Sequence, residues 1–357
     1  MRIAVLGAGN GGLAMAAHMI MKGHRVTVYD KYAEALAGVI ADGGIRLHGA
    51  LGEGFFSPSL VSATMEDVID EAELIMVVTP AFAHGEIAAG LASFLTADQI
   101  VILHPGRTGG ALECRRVIRE IRPDLEPVIA EAQTLLYASR RTGPSDVTIY
   151  GIKKQVGFAA LPARRNEAVA KKLQAIFAEF SLAATVLETS LLNIGAIFHP
   201  APTLLNAARI ESTAGNFEYY HEGISPAVGK VLERLDGERV EIAQALGVAT
   251  RSAVQWLHDV YGAGGADICS AVRANRIYGG IKAPPSLDTR YISEDVPMSL
   301  VPLSELGALA SVRTPVMDMM IGLAGIMHKT DYRSKGRTLQ RMGIADCAVE
   351  QLKERVL

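Results

Sequence analysis

Histidine is the side chain that exchanges protons near neutral pH, and the chain carries nine of them. His199 is set apart by its surroundings. The apolar run Leu191-Leu192-Asn193-Ile194-Gly195-Ala196-Ile197-Phe198 stops at His199-Pro200-Ala201-Pro202, and a helical pattern resumes at Thr203-Leu204-Leu205-Asn206. Proline lacks an amide donor and crowds the preceding turn, so this pair breaks the helix. An imidazole at such a break stands among apolar groups with backbone polar atoms beside it, which suits acid/base chemistry. A satisfied core histidine fits the same position. His18, His24, His48, His84, His258 and His328 fall on patterned helices or polar loops and read as packed or solvated. His104 reads as shaping a turn, and His221, beside Glu222, stays undecided.

A histidine that moves protons works best with a carboxylate that fixes its tautomer and stabilises its protonated form. Glu211, Glu218, Glu222, Glu294 and Asp295 are available, and spacing does not choose among them. Asp295 lies in Thr289-Arg290-Tyr291-Ile292-Ser293-Glu294-Asp295-Val296-Pro297, where Arg290 offers a two-pronged donor for a substrate carboxylate. A solvated acidic pair beside a surface arginine is the structural alternative.

The second candidate is a glycine loop. Ile3-Ala4-Val5-Leu6 reads as a strand, and Gly7-Ala8-Gly9-Asn10-Gly11-Gly12 follows it and opens a helix. Strand, Gly-x-Gly-x-x-Gly and helix in that order form a dinucleotide-binding fingerprint. Gly7 permits the tight turn, Gly9 admits the pyrophosphate, and Gly12 lets helix and strand pack closely. Free N–H groups at the helix start then meet the phosphates. Asp30 ends the second strand where an acidic side chain accepts hydrogen bonds from the adenosine ribose, which favours NAD over NADP. Lys31 pulls the other way, because it can turn to a 2′-phosphate. Val77-Val78-Thr79-Pro80-Ala81 ends a buried strand on the ligand-binding edge and makes Thr79 and Pro80 candidate coenzyme contacts. The turn His104-Pro105-Gly106-Arg107-Thr108-Gly109-Gly110 is placed to receive either coenzyme, at Gly106, or an anionic substrate group.

These residues need elements to hold them. A chain of 357 residues suits two domains. Residues 1–185 alternate short β-branched runs with helical patterns, the signature of an α/β, doubly wound parallel sheet of Rossmann type. Strands are expected at Ile3–Leu6, Arg25–Tyr29, Leu74–Val78, Ile100–Leu103, Val128–Ala130 and Gly157–Ala159. Residues 186–357 read as a second, mostly α-helical domain. There Pro226–Leu246 carries apolar residues at helical spacing, with Glu233, Arg234, Glu238 and Arg239 expected on the wet face. Glycine and proline accumulate between about 262 and 302, which predicts a long loop able to lie over a cleft, before helix returns at Pro315.

Composition narrows the partners. With 35 basic and 38 acidic residues and a net charge of −3, no footprint for nucleic acid or a membrane surface appears, so small molecules are expected. Cys114, Cys269 and Cys347 have no paired ligand spacing, so neither zinc nor any other metal is expected. The chain enters an apolar strand directly after Met1-Arg2, without a signal-peptide layout, and a cytoplasmic location is the expectation.

Three stretches carry a resemblance: Asn193 through His199-Pro200 to Asn206 and Glu211; Ser225-Pro226-Ala227-Val228 with Leu235-Asp236-Gly237-Glu238-Arg239; and Arg290 to Pro297. With Pro105 to Gly110 and the glycine loop, the chain resembles the octopine/nopaline family of opine dehydrogenases over most of its length. The resemblance implies that His199 is the catalytic histidine and Asp295 its partner. It also implies that Arg290, Asn193 and Asn206 lie at the substrate, and that Gly106 lies beside NAD or NADP. The implied activity joins an amino acid to a 2-oxo acid and reduces the imine with NAD(P)H. A homodimer is expected from the helical domain. A plain 2-oxo acid reductase, similar to ketopantoate reductases or hydroxy acid dehydrogenases, shares the layout and would use a lysine, here Lys230. A non-catalytic NAD-sensing protein is a reading from another class.

Overall fold

The computed structural model describes residues 1–357, which divide into two compact units, Met1–Thr189 with Val356–Leu357, and Ser190–Arg355. In the first unit the strands are β1 (Arg2–Leu6), β2 (Arg25–Tyr29), β3 (Ile45–Gly49), β4 (Gly54–Phe56), β5 (Leu60–Ser62) and β6 (Leu74–Val77). They continue with β7 (Ile100–Leu103), β8 (Val128–Ala132), β9 (Tyr137–Arg141), β10 (Asp146–Ile152), β11 (Val156–Leu161) and β12 (Phe180–Leu182). Eight of them form one sheet in the order β12-β11-β8-β7-β6-β1-β2-β5. All its pairings are parallel except β11 with β8. The central strands β6 and β7 are buried at every residue, because parallel sheets are covered on both faces and select continuous apolar runs. The chain turns from β1 to β2 on one side and to β6 on the other, and such reversals open a crevice at the strands' carboxyl ends.

A second sheet, β4-β3-β10-β9, is absent from the expected strands. It packs on the helix Asn10–Met21, whose residues Gly11 to Met19 are all buried. That helix is buried on both sides because a sheet lies on each of them. The only sign of β3 and β10 in the sequence is a short alternation, Ile45 with Leu47 and Val147 with Ile149, each pair pointing inward.

The second unit is helical, and two expectations are corrected there. Glu238 and Arg239, expected on the wet face of the helix Pro226–Ala245, are fully buried. Glu238 accepts the amides of Val316 and Met317 at 2.9 and 3.0 Å, satisfying the first turn of the helix Pro315–His328. Arg239 pairs with Asp236 at 2.6 Å and donates to the carbonyls of Leu191 and Arg251. Both charges go inside because helix ends buried by packing need polar partners. The expected long loop holds only in part: residues 279–289 carry no helix, but Ile268–Ala274, Arg290–Ser293 and a π-helix at Val296–Leu300 interrupt it, and Val301–Leu309 follows. Pro297 and Pro302 sit within the first two positions of their helices, where a missing amide costs no hydrogen bond, so they start elements rather than break them. No helix is long and apolar enough to cross a membrane.

Candidate active site

In the first unit, the glycine loop lies between β1 and the helix Asn10–Met21. Gly7 has φ +113°, and a Cβ there would stand 2.7 Å from the Val78 carbonyl oxygen. A Cβ on Gly12 would stand 1.7 Å from the Gly7 oxygen, so only glycine fits. Gly9 faces open space and caps the helix without a side-chain hydrogen bond. At Gly9 the loop therefore leaves the start of the helix open to a ligand. Asp30 fixes its shape: Oδ2 accepts the Ala8 amide at 2.8 Å and Oδ1 the Tyr32 amide at 3.0 Å. Asn10 is held from behind, its Oδ1 accepting the Arg141 amide, while Leu135 packs over Gly11. Lys31 is turned to Glu86, with Nζ 2.9 and 2.8 Å from its two carboxylate oxygens.

The next strand ends continue this edge. Thr79 follows β6, and its Oγ1 is buried without a protein partner, the kind of group a bound coenzyme satisfies. Pro80 is half-buried and opens the turn into the helix His84–Ala92. Open amides at Gly9, a partnerless Thr79 hydroxyl and Asp30 at the end of β2 together fit a nicotinamide dinucleotide. Gly106 serves a neighbour that the sequence reading missed. A Cβ there would lie 2.4 Å from Oε2 of Glu131, a fully buried carboxylate on β8. Glu131 accepts the Ala111 amide at 2.9 Å and the Thr189 hydroxyl at 2.7 Å, and so organises the whole turn before the helix Gly110–Ile121. Its signal was a lone carboxylate inside an apolar strand. His104 is buried against Met76, and burial pushes its imidazole down to about 3, so it stays neutral.

In the second unit, the break at His199 forms as the prolines require. Residue 202 has no amide to give the Phe198 carbonyl, and the Tyr219 hydroxyl lies 3.3 Å from it instead. Tyr219 and Thr203 hydroxyls also lie 2.7 Å from the His199 carbonyl oxygen. Burial holds the Tyr219 phenol well above its ordinary range, so it remains a neutral hydrogen-bonding group. The backbone under the imidazole is thereby anchored.

Of the five candidate carboxylates, the structure brings Asp295 to the histidine, with Oδ2 2.9 Å from Nδ1. Asp295 is 1 % exposed and the His199 side chain 21 %, so the carboxylate is shielded while the ring keeps an open edge. A carboxylate only accepts, so Nδ1 carries the hydrogen and Nε2, which has no protein hydrogen bond, is free to take or give a proton. Asp295 is held in turn: the Ser299 hydroxyl reaches Oδ1 at 3.3 Å, and Asn193 Nδ2 donates to Ser299 at 2.8 Å. Asn193 therefore reaches the pair through Ser299. Asn206 does not join this network; its amide donates to the carbonyls of Pro202 and Gly223. Arg290 donates through Nε and one terminal nitrogen to the buried Glu294, leaving the rest of its exposed guanidinium outward. Lys230 is exposed on the helix Pro226–Ala245.

Residues 182–328 match the family described as NAD/NADP octopine/nopaline dehydrogenase, alpha-helical domain. Residues 2–108 match the NAD binding domain of 6-phosphogluconate dehydrogenase. An opine dehydrogenase of Arthrobacter sp. (strain 1C) is 39 % identical over 353 residues, covering 99 % of this chain and 98 % of its own. An octopine dehydrogenase solved with NADH and agmatine shares the fold at a TM-score of 0.84 and 21 % identity, covering 99 % of this chain and 97 % of that one. A yersinopine dehydrogenase with NADP+ bound does so at 0.79 and 14 %, covering 100 % and 97 %. The near-complete 39 % match, joined to a Rossmann unit and a helical unit carrying a histidine–carboxylate pair, places this chain in the opine dehydrogenase family of NAD(P)-dependent oxidoreductases acting on CH–NH bonds.

Proposed function

We propose that the enzyme condenses an amino acid with a 2-oxo acid and reduces the resulting imine to a secondary amine dicarboxylate, with His199 and Asp295 managing the proton. The carrying observation is the 2.9 Å contact from Nδ1 to a shielded carboxylate with Nε2 left open. Nε2 removes a proton from the substrate ammonium, which frees the amine lone pair to attack the oxo carbon. The same proton returns to the hydroxyl that leaves as water when the imine forms. A bound reduced nicotinamide would supply the hydride for the former oxo carbon. Arg290, oriented by Glu294, receives a substrate carboxylate on its outward edge. Asn193 keeps Asp295 oriented through Ser299, and Asn206 fixes the end of the helix Pro200–Leu205 beside the site.

The coenzyme loop is Gly7, Ala8, Gly9, Asn10, Gly11 and Gly12, with Thr79, Pro80 and the Gly106 turn at its edge. NAD is the preferred coenzyme. Asp30 would meet the ribose hydroxyls, and Glu86, paired with Lys31, would keep that lysine from a 2′-phosphate. Met319, Ile326 and Met327 are exposed on the helix Pro315–His328 and offer an apolar face for a homodimer in the cytoplasm. The test is oxidation of NADH and NADPH with pyruvate, oxaloacetate and 2-oxoglutarate, each with and without amino acids. Oxidation is expected only with both substrates, with the secondary amine found by mass. Consumption with an oxo acid alone contradicts the proposal and points to a 2-oxo acid reductase.

A further inference from the structure

The hydrogen bond to Asp295 does not fix the imidazole completely. A single contact from Nδ1 to Oδ2 tolerates small rotations of the ring about its Cβ–Cγ bond. Such a rotation carries Nε2, the atom that exchanges the proton, through an arc. The ring of Tyr291 lies against one face of the imidazole. It stacks on His199 with centroids 4.3 Å apart and planes only 14° from parallel.

The placement follows from the local sequence. Tyr291 and Asp295 are four residues apart on a right-handed turn that joins Arg290–Ser293 to the π-helix Val296–Leu300, so both project from one side of it. Asp295 thus meets the edge of the imidazole while Tyr291 covers a face. Tyr291 is itself held: Thr289 Oγ1 accepts its amide at 3.4 Å, and the buried Tyr219 ring leans on it at 5.2 Å and 40°. Tyr219 also reaches the His199 carbonyl, so one tyrosine supports both partners of the stack.

We propose that Tyr291 is a positioning residue whose ring, rather than its hydroxyl, holds the His199 plane so that Nε2 keeps one direction toward the substrate. The inference rests on His199 being the acid/base group. Small angular errors at a reacting atom cost rate far more than they cost binding.

The test compares kcat, both substrate KM values, NADH affinity and the imidazole proton spectrum for the wild type, Tyr291→Phe, Tyr291→Leu and His199→Gln. The last variant assigns the His199 signal by its loss. Tyr291→Leu is expected to lower kcat about tenfold or more, with KM values and NADH affinity within about twofold. Tyr291→Phe is expected to retain kcat within about threefold, as a ring without the hydroxyl should. The His199 signal is expected at an upfield, ring-current-shifted position in wild type and Tyr291→Phe alone. Wild-type kcat in Tyr291→Leu overturns the proposal, and so does equal damage from Tyr291→Phe. Should the leucine variant not fold, an unshifted His199 signal in the wild type overturns it. Near-normal kcat in His199→Gln would instead remove the proton role of His199, a separate failure.

Discussion

The glycine loop of the first unit works with backbone, whereas the histidine site of the second works with side chains. Gly7, Gly9 and Gly12 act by what they lack, and every member of the loop falls within six consecutive residues. His199 and Asp295 are 96 residues apart and meet only because a proline-broken helix and a π-helical turn are packed side by side. A backbone site tolerates no added atoms, and a side-chain site tolerates no altered chemistry. The difference sets which substitutions damage each.

Asp295→Asn is the sharpest test, because it preserves shape and changes only chemistry. The asparagine amide can donate to Nδ1 and so favour the tautomer with hydrogen on Nε2, which cannot accept the substrate proton. Turnover should fall about a hundredfold or more while NADH affinity stays unchanged. Steady-state kinetics and a fluorescence titration read both, and equal loss of the two would erase the division of labour. Next come the glycines. A Cβ on Gly12 collides inside the protein, and overpacking by about 1–3 kcal/mol should weaken NADH about tenfold and lower the melting temperature of Gly12→Ala. A Cβ on Gly9 meets no protein atom, so Gly9→Ala should weaken NADH with an unchanged melting temperature. Identical behaviour of the two variants would break the claim that Gly9 faces the ligand.

Glu86→Gln is expected to act more gently. The Lys31 pair is exposed and screened by solvent, so its release should raise the NADPH to NADH affinity ratio by no more than about fivefold. A ratio that does not move would take Glu86 out of coenzyme choice. The smallest effect concerns stability. His18 is buried against Tyr137, and burial with nearby Lys22 holds its pKa down at about 4, against an ordinary 6.5. Between those values the unfolded chain binds a proton that the folded chain refuses, so the contribution is complete above pH 6.5 and is lost as pH falls toward 4. Melting curves across that window should be flatter for His18→Gln than for wild type, and parallel curves would contradict it.

The same contrast explains what was legible in the sequence. The loop could be read directly, since one motif between strand and helix carries its own geometry. His199 stood out by its prolines, but the choice of Asp295 among five carboxylates came only from family resemblance, because spacing along the chain holds no record of a contact between distant turns. Tyr291, Ser299 and Glu131 escaped for the same reason: each acts on a neighbour brought to it by packing. Glu238 and Arg239 misled because amphipathic spacing treats every charge as solvated, whereas Glu238 satisfies a buried helix start and Arg239 the Leu191 carbonyl that ends the helix Val186–Leu191. Prolines misled between 262 and 302 because the same residue that ends one helix begins another.

The central claim is that coenzyme binding resides in the glycine loop while proton transfer resides at His199. It is tested most directly by titrating His199→Gln with NADH and measuring its turnover with an amino acid and a 2-oxo acid in one preparation. The account predicts wild-type coenzyme affinity with turnover lowered about a hundredfold or more. Near-normal turnover in that variant would contradict it.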